Sequence, residues 1–237
     1  SNSMTAKKKY LNFWTVISVC IFVLLALFFV FPTVSLLIES VYVDGKISWD
    51  AFQMFFQKSY YYKTIFNSFK VSLAVMLVSL LIGVPFSYFY TFYKIKGKRI
   101  LFILCLLCTM SAPFIGAYSW VLLLGRSGVI TKFLALFGIQ IGSIYGFKGI
   151  LLVQSMKLFP LVVIYMNGAF RSIDNSLLES SENYGCKGVS RLFRIIMMLS
   201  MPTVLAAALL VFMRAFADFG TPILIGEGYK TFPVLIY

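Results

Sequence analysis

Four acidic or basic residues stand where charge needs a reason. Arg214 and Asp218 lie four apart inside an apolar run, where ionisable side chains are costly and are usually paired or functional. At that spacing they serve either as a structural intrahelical pair, steadying a kink or a helix contact, or as a gate or lining of a path through the membrane. Glu179 and Glu182 belong to the polar island 171–200, the longest charge-rich segment between two apolar spans. By pattern alone that island fits a solvated loop on a membrane surface and a docking site for a soluble partner equally well. Enzymatic chemistry is poorly provided for. The chain has no histidine, so the commonest general base and the commonest transition-metal ligand are both missing. Cys105 and Cys108 form a C-x-x-C inside an apolar block, with no second ligand pair, and read as small buried residues. No catalytic residue and no metal site are expected.

The elements that must hold these residues are membrane helices. Sixty per cent of the 237 residues are hydrophobic and only 12 % are charged, about half the charge of an ordinary soluble domain. Blocks of about 20 apolar residues match a hydrocarbon core of about 30 Å. Several such blocks imply an all-α polytopic membrane protein, since the short alternating segments of a β-barrel are not visible. Five spans are expected: Asn12–Ile38, Val71–Tyr93, Ile100–Leu124, Gly149–Phe170 and Met201–Leu224. Between them, Glu39–Lys70 is read as a loop with an amphipathic stretch at Trp49–Phe56, and Val129–Phe137 as a short interfacial helix.

The net charge of +13 does not imply a nucleic-acid partner, because the basic residues sit at the ends of apolar blocks rather than on one soluble face. Lys7–Lys9 and the cluster Lys94–Arg99 place the N-terminus on the cytoplasmic side. Residues 1–10 form a cytoplasmic tail whose Ser1-Asn2-Ser3, ahead of Met4, reads as a cloning scar. The first apolar run is too long for the core of a signal peptide and reads as an uncleaved helix. Residues 11–237 form one membrane domain, and the apolar end Thr231–Tyr237 reads as the start of another span, hence of a fragment.

Within the island, Ser176-x-x-Glu179 has the spacing of a capping box. A helix capped by Ser176 would place Leu177, Ser181 and Tyr184 on one face and end at Gly185, which accepts a left-handed conformation without strain. A second helical stretch is expected over Ser190–Met198.

The segment from Glu179 resembles the E-A-A-x-x-x-G signature of ABC (ATP-binding-cassette) importer permeases. Glu179 stands at the glutamate, Ser180 and Ser181 at the alanines, Gly185 at the glycine, and Ile195 at the later hydrophobic position, while Met198 replaces the signature proline. Ser111–Ala117 with Leu124–Gly128, Tyr145–Ile150 with Leu158–Leu161, and Ala217-Asp218-Phe219-Gly220-Thr221-Pro222 are similar to elements of the ferric-iron subfamily. The resemblance implies a type I importer permease fold in the bacterial inner membrane and the N-terminal half of a fused permease. It implies that the 171–200 loop, through Glu179, Ser180, Ser181, Glu182, Gly185 and Ile195, couples to a cytoplasmic ATPase dimer. ATP and Mg would bind that ATPase and no cofactor this chain. An extracytoplasmic binding protein would deliver ferric iron; phosphonate, thiamine, sulfate or polyamine are the alternatives on the same fold. A membrane-embedded enzyme and a non-transport scaffold are the rival readings.

Overall fold

The computed structural model describes residues 13–43, 46–140, 142–185 and 188–236. The N-terminal tail with its three lysines, and Cys186 and Lys187 of the island, lie outside the described residues. The chain divides into two units, Ser1–Ser59 and Tyr60–Tyr237.

In the first unit, α1 (Phe13–Leu25) and α2 (Phe31–Val41) are joined by a five-residue π-helical segment, Ala26–Val30. Pro32 explains the wide turn. It has no N–H for the Phe28 carbonyl and would clash with it in a regular helix; instead Phe31 N–H donates to Ala26 O, and Thr33 Oγ1 donates to Phe29 O at 2.7 Å. Together these segments give an apolar stretch of 29 residues, long enough to cross a bilayer. A two-residue antiparallel ladder, β1 (Tyr42–Val43) with β2 (Lys46–Ile47), leads into the amphipathic helix α3 (Asp50–Gln57) at the expected place.

The second unit opens with α4 (Ser59–Phe92), which starts twelve residues earlier than the expected span because the three tyrosines and Lys63 to Lys70 are helical too. Then follow α5 (Lys98–Thr109), α6 (Pro113–Leu124), α7 (Val129–Leu136), α8 (Phe147–Arg171), α9 (Asn175–Asn183), α10 (Gly188–Arg191), α11 (Met197–Phe216), α12 (Gly220–Ile225) and α13 (Phe232–Ile236). A π-helical segment, Leu192–Ile196, fuses α10 to α11, so the expected stretch Ser190–Met198 is the foot of a long helix rather than a separate one.

Among the described residues, five stretches are long and apolar enough to cross a membrane. Two expected spans are corrected. Ile100–Leu124 is not one helix: the residue before Pro113 is forced into extended backbone, Ala112 takes ψ 147°, and the run splits into two 12-residue helices. The third spanning stretch is Phe114–Leu136 instead. The last span stops at Phe216, ahead of a break at Ala217–Phe219.

Helix α8 is the core of this unit. Ile150, Val153, Val162, Val163, Met166 and Phe170 along it are all at most 1 % exposed. It packs on α11 and on α4, where Gly83 lies against Val162 and Ser87 Oγ donates to Val163 O at 3.5 Å; Ser68, Ser72, Ser79, Gly83 and Ser87 form a buried small-residue stripe along one side of α4. Small residues let helix backbones approach in a membrane, where hydrophobic driving force between helices is absent. At Gly83 a Cβ would sit 2.7 Å from Val162 Cβ, so only glycine fits. Thr91 Oγ1 donates to Asn167 Oδ1 at 3.2 Å one turn further on. The final segment is pinned to the start of α4: Phe232 N–H donates to Ser68 Oγ at 2.7 Å and Asn67 Nδ2 to Lys230 O at 3.1 Å.

Candidate functional site: a docking helix and a charged cleft

The polar island folds as expected in outline and differs in detail. Helix α9 occupies Asn175–Asn183 and is followed by Gly185 at φ +79°, the left-handed residue that ends it. The cap is Asp174 and not Ser176: Ser176 N–H donates to Asp174 Oδ1 at 3.0 Å. Asparagine and aspartate cap as well as serine does, and Asp174, directly before the first helical residue, is the one placed to meet the orphan donors. The buried face is also rotated from the expected one. Leu178 and Ser181 are buried, at 7 % and 6 % exposure, while Leu177 and Tyr184 stand out at 49 % and 88 %.

Each buried residue has a reason. Leu178 joins the cluster that includes Phe170, Leu192 and Ile196. The Ser181 hydroxyl satisfies itself on Leu178 O at 2.7 Å. Glu179 and Ser180 face outward, Ile195 is half-buried beside the fully buried Ile196, and the Glu182 side chain lies outside the described ones. Behind the helix the Tyr88 hydroxyl donates to Gly188 O at 3.2 Å, which ties the end of α9's connection to the end of α4. One face of α9 is thus held by the bundle and the other projects from it.

The second constellation lies mid-span. Arg214 and Asp218 do not pair, because α11 ends between them and Asp218 turns away. Asp218 Oδ2 accepts from Thr221 Oγ1 at 2.7 Å and from Gln154 Nε2 at 3.1 Å, and lies 3.7 Å from Lys157 Nζ. Its side chain is 6 % exposed and that of Lys157 21 %. Buried charges need such partners. Lys157, Gln154 and Thr221 were not singled out from the sequence, although a lysine inside an apolar run was itself a signal. Arg214 is exposed, and with Lys157, Asp218, Thr109, Ser111 and Phe114 it lines a cleft of about 460 Å³ between α8, the α5–α6 break and the α11–α12 break.

Comparison with known proteins decides what kind of helical bundle this is. The family described as "Binding-protein-dependent transport system inner membrane component" matches residues 83–236. The chain belongs to that family. Its members' region covers α8, α9, α11 and the cleft alike. Among curated relatives, the putative ferric transport system permease protein FbpB 1 of Haemophilus influenzae is 29 % identical over 92 % of this chain and 35 % of its own length. The ferric transport system permease protein FbpB of Actinobacillus pleuropneumoniae is 29 % identical over 92 % of this chain and 32 % of its own. The spermidine/putrescine permease protein PotB of Haemophilus influenzae is 28 % identical over 70 % of the chain and 59 % of its own. The chain spans about a third of the length of the two ferric relatives. A bacterial ABC transporter that imports alginate has the same fold, with TM-score 0.76 at 19 % identity over 94 % of this chain and 83 % of that one. The expected type I importer permease fold is the fold observed.

Proposed function

We propose that this chain is part of the membrane permease of an ATP-driven importer of ferric iron, with α9 as the helix that seats on a cytoplasmic ATPase. The observation that carries the reading is the two-sided character of α9. Leu178 and Ser181 fix it to the bundle, whereas Leu177, Glu179 and Tyr184 are offered to a partner. A helix rigidly joined to the core on one side transmits a displacement on the other. Closure of the ATPase on ATP and Mg would push α9, and the buried contacts would pass that movement to α8 and α11. Each end state must then be favoured by its own contacts with the ATPase or with a loaded extracytoplasmic binding protein.

The Tyr88–Gly188 bond puts the α4 end, and with it the basic cluster Lys94–Arg99, at the same end as α9. A shared cytoplasmic face for both agrees with the distribution of lysine and arginine, and a cytoplasmic N-terminus is part of this reading. The ferric relatives favour iron, and a second permease half, fused or separate, would complete the transporter. No group on this chain is assigned a part in ATP hydrolysis, which belongs to the ATPase.

The test is uptake of radiolabelled ferric iron by cells carrying the whole transporter, its ATPase and its binding protein, with Gly185→Arg as control. Uptake by the wild type and its loss in the variant support iron and the coupling helix together. Equal uptake by both would contradict the assignment of α9.

A further inference from the structure

The mid-span cleft carries an excess of positive charge. Lys157 and Arg214 bring two cations to it, and Asp218 is its one carboxylate. That carboxylate is already engaged: Thr221, Gln154 and Lys157 all converge on Oδ2, and Thr221 N–H approaches Oδ1 at 3.5 Å. It has little left to offer a cation. Among the described residues no three His, Cys, Asp or Glu side chains gather to hold a metal ion.

Arg214 is in the opposite condition. Among the described residues its guanidinium has no carboxylate within ion-pair distance, and it stands exposed at the last turn of α11. An arginine presents five donors in a planar fork that matches carboxylate and phosphate oxygens. In a cleft between helices an unneutralised cation favours an incoming anion and opposes an incoming cation. A volume of about 460 Å³ accommodates an inorganic oxyanion or a small metal chelate with room to spare.

We propose that this cleft is a binding station for an anionic group, with Arg214 as its principal donor, so that the solute crosses as an oxyanion or a negatively charged chelate and never as a bare cation. The inference rests on the permease reading above and narrows it: ferric iron would pass with an oxygen-rich anion still attached. Lys157, held by Asp218, supplies a second positive field that the anion meets without breaking the ion pair.

The experiment uses the whole transporter with its ATPase and binding protein in proteoliposomes. Doubly labelled ferric citrate, ferric iron with labelled phosphate, labelled molybdate and labelled spermidine are offered in turn. The expected result is accumulation of iron together with its labelled anion, or of molybdate, and a loss of about tenfold in Arg214→Gln, the scale of one charge-assisted hydrogen bond. Arg214→Lys is expected to retain most of the uptake. Iron entering without its anion and unaffected by Arg214→Gln would overturn the proposal, as would spermidine as the transported solute, while leaving the permease reading intact. If no probe enters in an ATP-dependent manner the ferric-iron reading fails. Equilibrium dialysis of labelled citrate and phosphate against the detergent-solubilised transporter then decides the site alone. Saturable binding weakened in Arg214→Gln supports it, and absence of saturable binding overturns it.

Discussion

Lys157 Nζ lies 3.7 Å from Asp218 Oδ2, an ion pair that joins the middle of α8 to the break between α11 and α12. Its two ends lie on separate elements, so the pair fixes how the broken end of α11 meets the central helix. Removing one partner leaves the other without its opposite charge, although Asp218 keeps its bonds from Thr221 and Gln154. Asp218→Asn or Lys157→Met is therefore expected to destabilise the protein by about 1–3 kcal/mol, toward the lower end for the lysine, which retains some access to solvent. The double variant should lose less than the sum of the two. Thermal unfolding of the detergent-solubilised protein, compared across the three variants, checks this.

At Gly83 the limit is steric. The missing Cβ would meet Val162 Cβ at 2.7 Å and Phe159 O at 3.1 Å. Overpacking at such a contact costs about 1–3 kcal/mol. Gly83→Leu should lower the folded yield far more than a leucine placed at exposed Ala206, as read by fluorescence-detected size exclusion.

Gly185 separates strain from function. Its φ is +79°, yet a Cβ there meets nothing within 4 Å. Gly185→Ala and Gly185→Arg should each lose about 1–2 kcal/mol for the left-handed backbone, with membrane insertion preserved in both. Only the arginine should abolish binding-protein-stimulated ATP hydrolysis in the assembled transporter, because only its side chain reaches the partner.

Tyr184 is 88 % exposed, so Tyr184→Ala should change stability by no more than about 0.5 kcal/mol. Coupling should nonetheless fall, seen as ATP hydrolysis less dependent on the binding protein. Ser181→Leu makes the opposite comparison. It enters the buried side of α9 and should reduce stability first.

Much of this architecture was legible in the chain. Long apolar blocks mark the spans because a bilayer demands their length, and a polar island ending in Gly185 announces a short helix because few other residues tolerate that turn. The resemblance around Glu179 and Asp218 pointed to the permease fold. What escaped notice did so for physical reasons. The small-residue stripe on α4 is diluted by leucines that face away, Leu73, Leu77 and Leu81, so the run reads as evenly apolar. Ser176 and Asp174 are both competent caps, and only the backbone decides between them. The true partner of Asp218 comes from another helix, which spacing along one helix cannot reveal, and Arg214, four residues away, was the nearer but mistaken choice.

The most direct test of the central claim is a photo-crosslinker at position 184 in the whole transporter, in membranes containing its ATPase. The account predicts a covalent product with the ATPase subunit whose yield changes when ATP is added, and its loss when Gly185→Arg is introduced. A crosslinker that labels only lipid or other permease segments, in a transporter that still takes up its solute, would contradict it.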